Sequence, residues 1–146
     1  MANVKQLLAG KGEVRGKAIF SVAPDDPVLE AIRLMAEQRV GALLVMKGDE
    51  LVGIVSERDY ARKVILLGRS SSSTPVSQIM SSPVHTVSPD HTVPECMRIM
   101  TEKRIRHLPV AERGRVIGVV SIGDLVKAVI EDQQHTIEQL ESYIHS

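Results

Sequence analysis

The chain repeats itself. Displacing the sequence by 65 positions lays Ile19 on Val84 and carries the alignment to Ile65 over Ile130 without a gap. Matched identities run through Val22/Val87, Pro24/Pro89, Asp25/Asp90, Val28/Val93, Met35/Met100, Arg39/Arg104, Gly53/Gly118, Ser56/Ser121 and Asp59/Asp124. A register held this strictly means one supersecondary unit built twice. Each unit alone is too short to bury a good core, so the two copies are expected to pack on each other, with function where paired units meet.

Each copy reads as β-α-β-β-α, an α+β arrangement. A short extended run comes first, Ile19–Val22 and Val84–Val87, and Pro-Asp then turns the chain towards a helix. Val28, Ala31, Ile32, Met35 and Ala36 recur at helical spacing in the first copy, as do Val93, Cys96, Met97 and Met100 in the second. Two strands follow in each copy, 42–46 and 51–55, then 108–111 and 116–120, with Gly48 and Gly114 in the hairpin connectors. Ser56 and Ser121 suit the N-cap of a last helix.

These signals divide the chain into an N-terminal segment 1–15, a first repeat 16–67, a linker 68–80, a second repeat 81–131 and a helical extension 132–146. The Ser70–Ser73 run marks the linker as flexible, and residues 76–80 suit a helical turn. Leu125, Val126, Val129, Ile130, Ile137, Leu140 and Ile144 form an interrupted apolar stripe that runs well past the repeat. Such a face needs cover, from the N-terminal segment or from a second subunit, so a homodimer is expected.

Composition removes several function classes. The formal net charge is zero, so the chain lacks the basic field that non-specific binding to nucleic acid or membrane requires. Aromatic residues make up 2% of the chain and Trp is absent, which leaves no platform for stacking bases. No stretch approaches the ~20 apolar residues needed to span a bilayer. Val4, Leu7 and Leu8 are interrupted by Lys5, Gln6 and Gly10, unlike a secretion signal, so the cytoplasm is the expected location. The single Cys96 falls on an apolar helical stripe and reads as a buried thiol. His85, His91, His107, His135 and His145 are scattered without partnering cysteines, so no metal site is expected. No P-loop, G-x-S-x-G or G-x-G-x-x-G occurs, and nothing pairs a nucleophile with a base, so an enzyme is not expected.

One polar signature is shared by both copies: Gly53-Ile54-Val55-Ser56-Glu57-Arg58-Asp59 and Gly118-Val119-Val120-Ser121-Ile122-Gly123-Asp124. The strand ends and a helix begins at the serine, where backbone N–H groups favour an anion. The aspartate three residues on is a good acceptor for the vicinal hydroxyls of a ribose. Read alone, each copy is first a capping box with only local stability to offer. Its repetition, and the company it keeps, favour a nucleotide.

The doubled Gly-h-h-Ser-x-x-Asp (h apolar), the Pro-Asp helix start and the run Arg104-Ile105-Arg106-His107-Leu108-Pro109-Val110 resemble a tandem pair of cystathionine β-synthase (CBS) domains, a Bateman module, over roughly residues 16–130. The resemblance implies two repeats packed with pseudo-twofold symmetry, each with a three-stranded sheet. It also implies clefts between them that take AMP, ATP, NAD-type ligands or S-adenosylmethionine. It groups Ser56, Arg58 and Asp59 with Val84, His85, Arg106 and His107 in one cleft, and Ser121 and Asp124 with Ala18, Ile19, Gly41 and Ala42 in the other. Arg106 and His107 resemble a basic pair that contacts phosphate, and Gly41 and Ala42 stand in their place in the first repeat. The resemblance thus implies a non-catalytic regulatory protein that senses AMP, ATP or NAD(H) and signals to an unknown protein effector. The alternative is a constitutive interaction module with vestigial clefts, working through its C-terminal helix.

Overall fold

A computed structural model of the chain describes residues 2–15 and 19–145. They fall into two units, residues 18–85 and residues 1–17 together with 86–146. Each unit holds one repeat, and each is described by itself.

The first unit opens with β1 (Ser21–Val22), then α2 (Val28–Gln38), β2 (Ala42–Lys47), β3 (Glu50–Ser56) and α3 (Glu57–Tyr60), which runs on as a π-helical turn over Ala61–Ile65. The label α1 belongs to an earlier helix, Val4–Arg15, which lies in the other unit. That unit continues with α4 (Val93–Lys103), β4 (His107–Glu112), β5 (Arg115–Ser121) and the long α5 (Ile122–His145).

Both hairpins form in the same register. Val45 faces Gly53 and Val110 faces Gly118, and a β-bulge follows each pair at the same place. Gly48 at φ +62° opens the first two-residue turn, while Arg113 and Gly114, at +53° and +77°, form the second. Positive φ at these positions matches the turn to the strands' right-handed twist.

The first strand differs between copies. In the first repeat β1 runs parallel to β2, and Leu44 N donates to Phe20 O at 3.2 Å. The residue equivalent to Leu44 is Pro109, which has no N–H. Only the isolated parallel bridge Val87–Val110 remains, with Val87 N donating to Pro109 O and Ala111 N to Val87 O. The second sheet therefore has two strands where three were expected.

The helices bury the faces their spacing predicts. Val28, Ala31 and Met35 are buried on α2, and Val93, Cys96 and Met100 on α4; Ala36, expected on that face, is exposed. Burial pushes the Cys96 thiol above its usual range, with the Glu95 carboxylate adding to the effect. Both helices end at an arginine in the left-handed region, Arg39 and Arg104, whose N–H caps Met35 O and Met100 O.

The serine-rich segment is not a loose tether. The cap of α2 is Pro27, which has no side-chain hydrogen bond to offer. The helix's unpaired N–H groups find other acceptors: Val28 N donates to Thr74 O at 2.8 Å and Leu29 N to Ser71 O at 3.0 Å. Val76 N and Ser77 N donate in turn to Asp26 O and Pro24 O. A 3₁₀ turn over Val76–Gln78 follows, and Val76 and Ile79 are fully buried in the first repeat's core.

The N-terminal segment, which shows no strong helical pattern, forms α1 and packs on the second repeat. Val4 is fully buried in that core, and its N–H donates to His91 O. Leu8 covers Gly118, where an added Cβ would lie 2.6 Å from Leu8 Cδ2. Met80 covers the equivalent Gly53 in the first repeat. The segment that precedes each repeat thus completes the core of the other.

Candidate functional site

The shared motif has the same local geometry in both repeats. A strand ends at serine, and the chain enters a helix at once. In the first, Asp59 N donates to Ser56 Oγ at 3.2 Å, while Ser56 N and Ser56 Oγ donate to Asp59 Oδ2 at 2.9 and 3.0 Å. In the second, Asp124 N donates to Ser121 Oγ at 3.2 Å and Ser121 N to Asp124 Oδ2 at 2.8 Å. Both are reciprocal capping boxes. The structural role raised by the sequence is therefore real, and it leaves the serine and aspartate half-buried with their geometry set.

Capping occupies Oδ2. Near Asp59, the other oxygen, Oδ1, lies 3.5 Å from Lys63 Nζ, which also donates to Ile79 O at 2.9 Å. Lys63 was not singled out from the sequence. Its spacing of four from Asp59 signals a helical ion pair, but its link to Ile79 is tertiary. Ala128 stands at the equivalent place in the second repeat, so the two motifs differ in local charge.

Strand pairing brings further predicted residues to each motif within its own repeat. Ala42 faces Ser56 across the hairpin, and Glu57 N donates to Gly41 O. His107 faces Ser121, and Ile122 N donates to Arg106 O at 2.8 Å. One motif thus adjoins a small, uncharged pair and the other a basic pair. Arg106 is exposed and His107 half-buried. Arg58 is exposed on α3; Ile19 and His85 are exposed and Val84 is half-buried, all three outside regular strands. Ala18 lies outside the described residues.

A shallow groove of about 380 Å³ on the first repeat is lined by Val22, Asp26, Glu30, Arg33, Leu34 and Glu37. None of the predicted site residues lines it, and three carboxylates against one guanidinium make it a poor home for phosphate. Among the described residues no cluster of three or more His, Cys, Asp or Glu could hold a metal ion. Nor, among them, is any helix long and apolar enough to cross a membrane.

Two copies of one α+β unit, each with a Ser-x-x-Asp capping box where the hairpin enters a helix, define a tandem-repeat module. The CBS domain model matches residues 12–65 and 76–131, and the chain belongs to the CBS domain family as a pair of such domains. It is 40% identical to the mitochondrial CBS domain-containing protein CBSX3 of Arabidopsis thaliana over 97% of this chain and 71% of that protein. A solved structure of a protein with CBS domains from Burkholderia ambifaria MC40-6 superposes with a TM-score of 0.86 at 53% identity, covering 90% of this chain and 96% of that one. The CBS domain pair of protein MJ0100, solved with 5′-methylthioadenosine and S-adenosylmethionine, shares the fold at a TM-score of 0.77 and 22% identity, over 90% of this chain and 98% of that one.

Proposed function

We propose that this chain is a non-catalytic regulatory module that binds an adenosine-bearing ligand, such as AMP, ATP, NAD(H) or S-adenosylmethionine, and reports it to a partner protein. The observation that carries this reading is the doubled motif. A CBS pair holds Ser56/Asp59 and Ser121/Asp124 in the same hydrogen-bonded geometry, twice. The complex of MJ0100 with two adenosine compounds supports the ligand class. The carboxylates would accept ribose hydroxyls, and Arg106 and His107 would take phosphate charge. A ligand that favours one packing of the module shifts the population towards it, which is how binding would be read by a partner.

A thermal-shift series with AMP, ADP, ATP, NAD, NADH and S-adenosylmethionine tests this. A ligand at 100 times its dissociation constant adds roughly 2.7 kcal/mol of apparent stability. Asp59→Asn and Asp124→Asn keep an acceptor for the capping N–H but remove the charge offered to ribose. Each should weaken binding by about 1–2 kcal/mol, the difference between charged and neutral hydrogen bonds. No shift with any of the six compounds would remove the adenosine reading, and wild-type binding in both variants would show that the site does not lie at these two carboxylates.

A further inference from the structure

The C-terminal half of α5 carries a seam that the fold leaves uncovered. Leu125, Ala128 and Val129 pack into the second repeat's core, but every described side chain from Glu131 onwards is exposed. On that helix Val126, Ile130, Gln133, Ile137, Leu140 and Ile144 recur at alternating spacings of four and three. These are the a and d positions of a heptad, with isoleucine at every a from Ile130 on. The five apolar members are between 43% and 74% exposed. A water-bound helix of about 12–15 residues is marginal by itself, so a stripe of this regularity calls for a partner helix.

We propose that this seam pairs with the same seam of a second copy of this chain, as an antiparallel two-helix coiled coil. Charge decides both the occupant and the direction. After Lys127 the helix bears Glu131, Asp132, Glu138 and Glu141 and no lysine or arginine. A parallel pair would set Lys127 beside Ile122 and Glu141 beside Thr136 of the second copy, leaving both charges unmatched, and would align both helix dipoles. An antiparallel pair sets Lys127 against Glu141 of the second copy, both at e positions, and twofold symmetry makes that contact twice. Val126 then meets Ile144 of the second copy, Ile130 meets Leu140, and Gln133 lies beside Ile137. The single polar core position, Gln133, restricts the register at some expense of stability.

Sedimentation velocity at micromolar protein tests the pairing. The wild type should be dimeric, and Ile137→Glu, at an exposed position, should keep the cooperative thermal unfolding of the two repeats but raise the dimer dissociation constant at least tenfold. A monomeric wild type, or unchanged association in Ile137→Glu, overturns the proposal. Direction is read from the double variant Val126→Cys with Ile144→Cys, oxidised and digested. Those positions lie roughly 27 Å apart on one helix at 1.5 Å per residue, so a disulfide between them must join two chains. A 126–144 peptide pair is the expected product. Linkage of 144 to 144, or no linkage in a dimeric sample, overturns the antiparallel arrangement.

Discussion

At the scale of residues, each repeated serine and aspartate serves the fold before any ligand arrives. The capping box uses one carboxylate oxygen, so ligand recognition would fall to the other. At Asp59 that oxygen faces Lys63, whose stronger tie is the hydrogen bond to Ile79 O. Lys63→Met keeps the aliphatic stem and loses both contacts. The expected destabilisation is about 0.5–1.5 kcal/mol, set mainly by the hydrogen bond because a partly exposed ion pair adds little. Urea denaturation of the variant at low and high salt checks this: a large salt-dependent loss would mean the ion pair dominates. Arg106 invites a sharper comparison. If it takes phosphate, Arg106→Ala should weaken AMP about tenfold and leave adenosine nearly unchanged, and the loss should shrink at high salt. Calorimetry with both ligands decides; equal losses would move Arg106 from phosphate binding to support of the fold.

At the scale of elements, the two long repeat helices solve one problem differently. At α4, Thr92 Oγ1 accepts from Glu95 N, and Thr92 N donates to Glu95 Oε1 at 3.0 Å. At α2, carbonyls of the serine-rich segment accept instead. Thr92→Ala should cost about 1 kcal/mol by thermal or denaturant unfolding. The hydrogen bond from the Thr92 backbone, with one from its side chain, holds the Glu95 carboxyl below its ordinary range. A depressed folded value stabilises above the unfolded pKa and is lost as pH falls through the folded one. Glu95→Gln should therefore differ most from wild type near neutrality and converge with it in strong acid; a constant difference across pH would show that the charge plays no part.

The hairpins, the two helix faces and the Ser-Asp motifs were legible because their signals are local and occur twice. Val45, Gly53, Val110 and Gly118 announce their pairing by alternation and turn residues alone. The missing strand of the second repeat was written in Pro109, whose significance depends on a hydrogen bond seen only with Leu44 in place. The Ser70–Ser73 run misled because composition reports solvation, whereas the carbonyls of Ser71 and the adjoining Thr74 were claimed by a distant helix start. The membership of α1 in the second repeat was illegible for a related reason: Val4 and Leu8 show that something is buried, not against what.

At the scale of the whole molecule, the exchange of leading segments makes stability non-local in sequence. Val4→Ala removes two methyl groups from the second repeat's core and should cost roughly 1.5 kcal/mol, at ~0.8 kcal/mol per buried carbon. Hydrogen exchange should speed up in β4, β5 and α4 and stay unchanged in β2 and β3, although Val4 precedes the latter far more closely along the chain. Val76→Ala should give the opposite map. Acceleration of β2 and β3 by Val4→Ala would show that the two units do not open separately.

The same exchange sets a timetable for synthesis. The first repeat draws on the chain as far as Ser81, which pairs with Ile54, and can close while the ribosome is still making the second. Helix α1, made before that repeat, must wait, its apolar face open, until Gly118 and the rest of its destination have emerged. An element made before the first repeat is thus buried only with the second, and its apolar face stays open while the whole of the first repeat is translated.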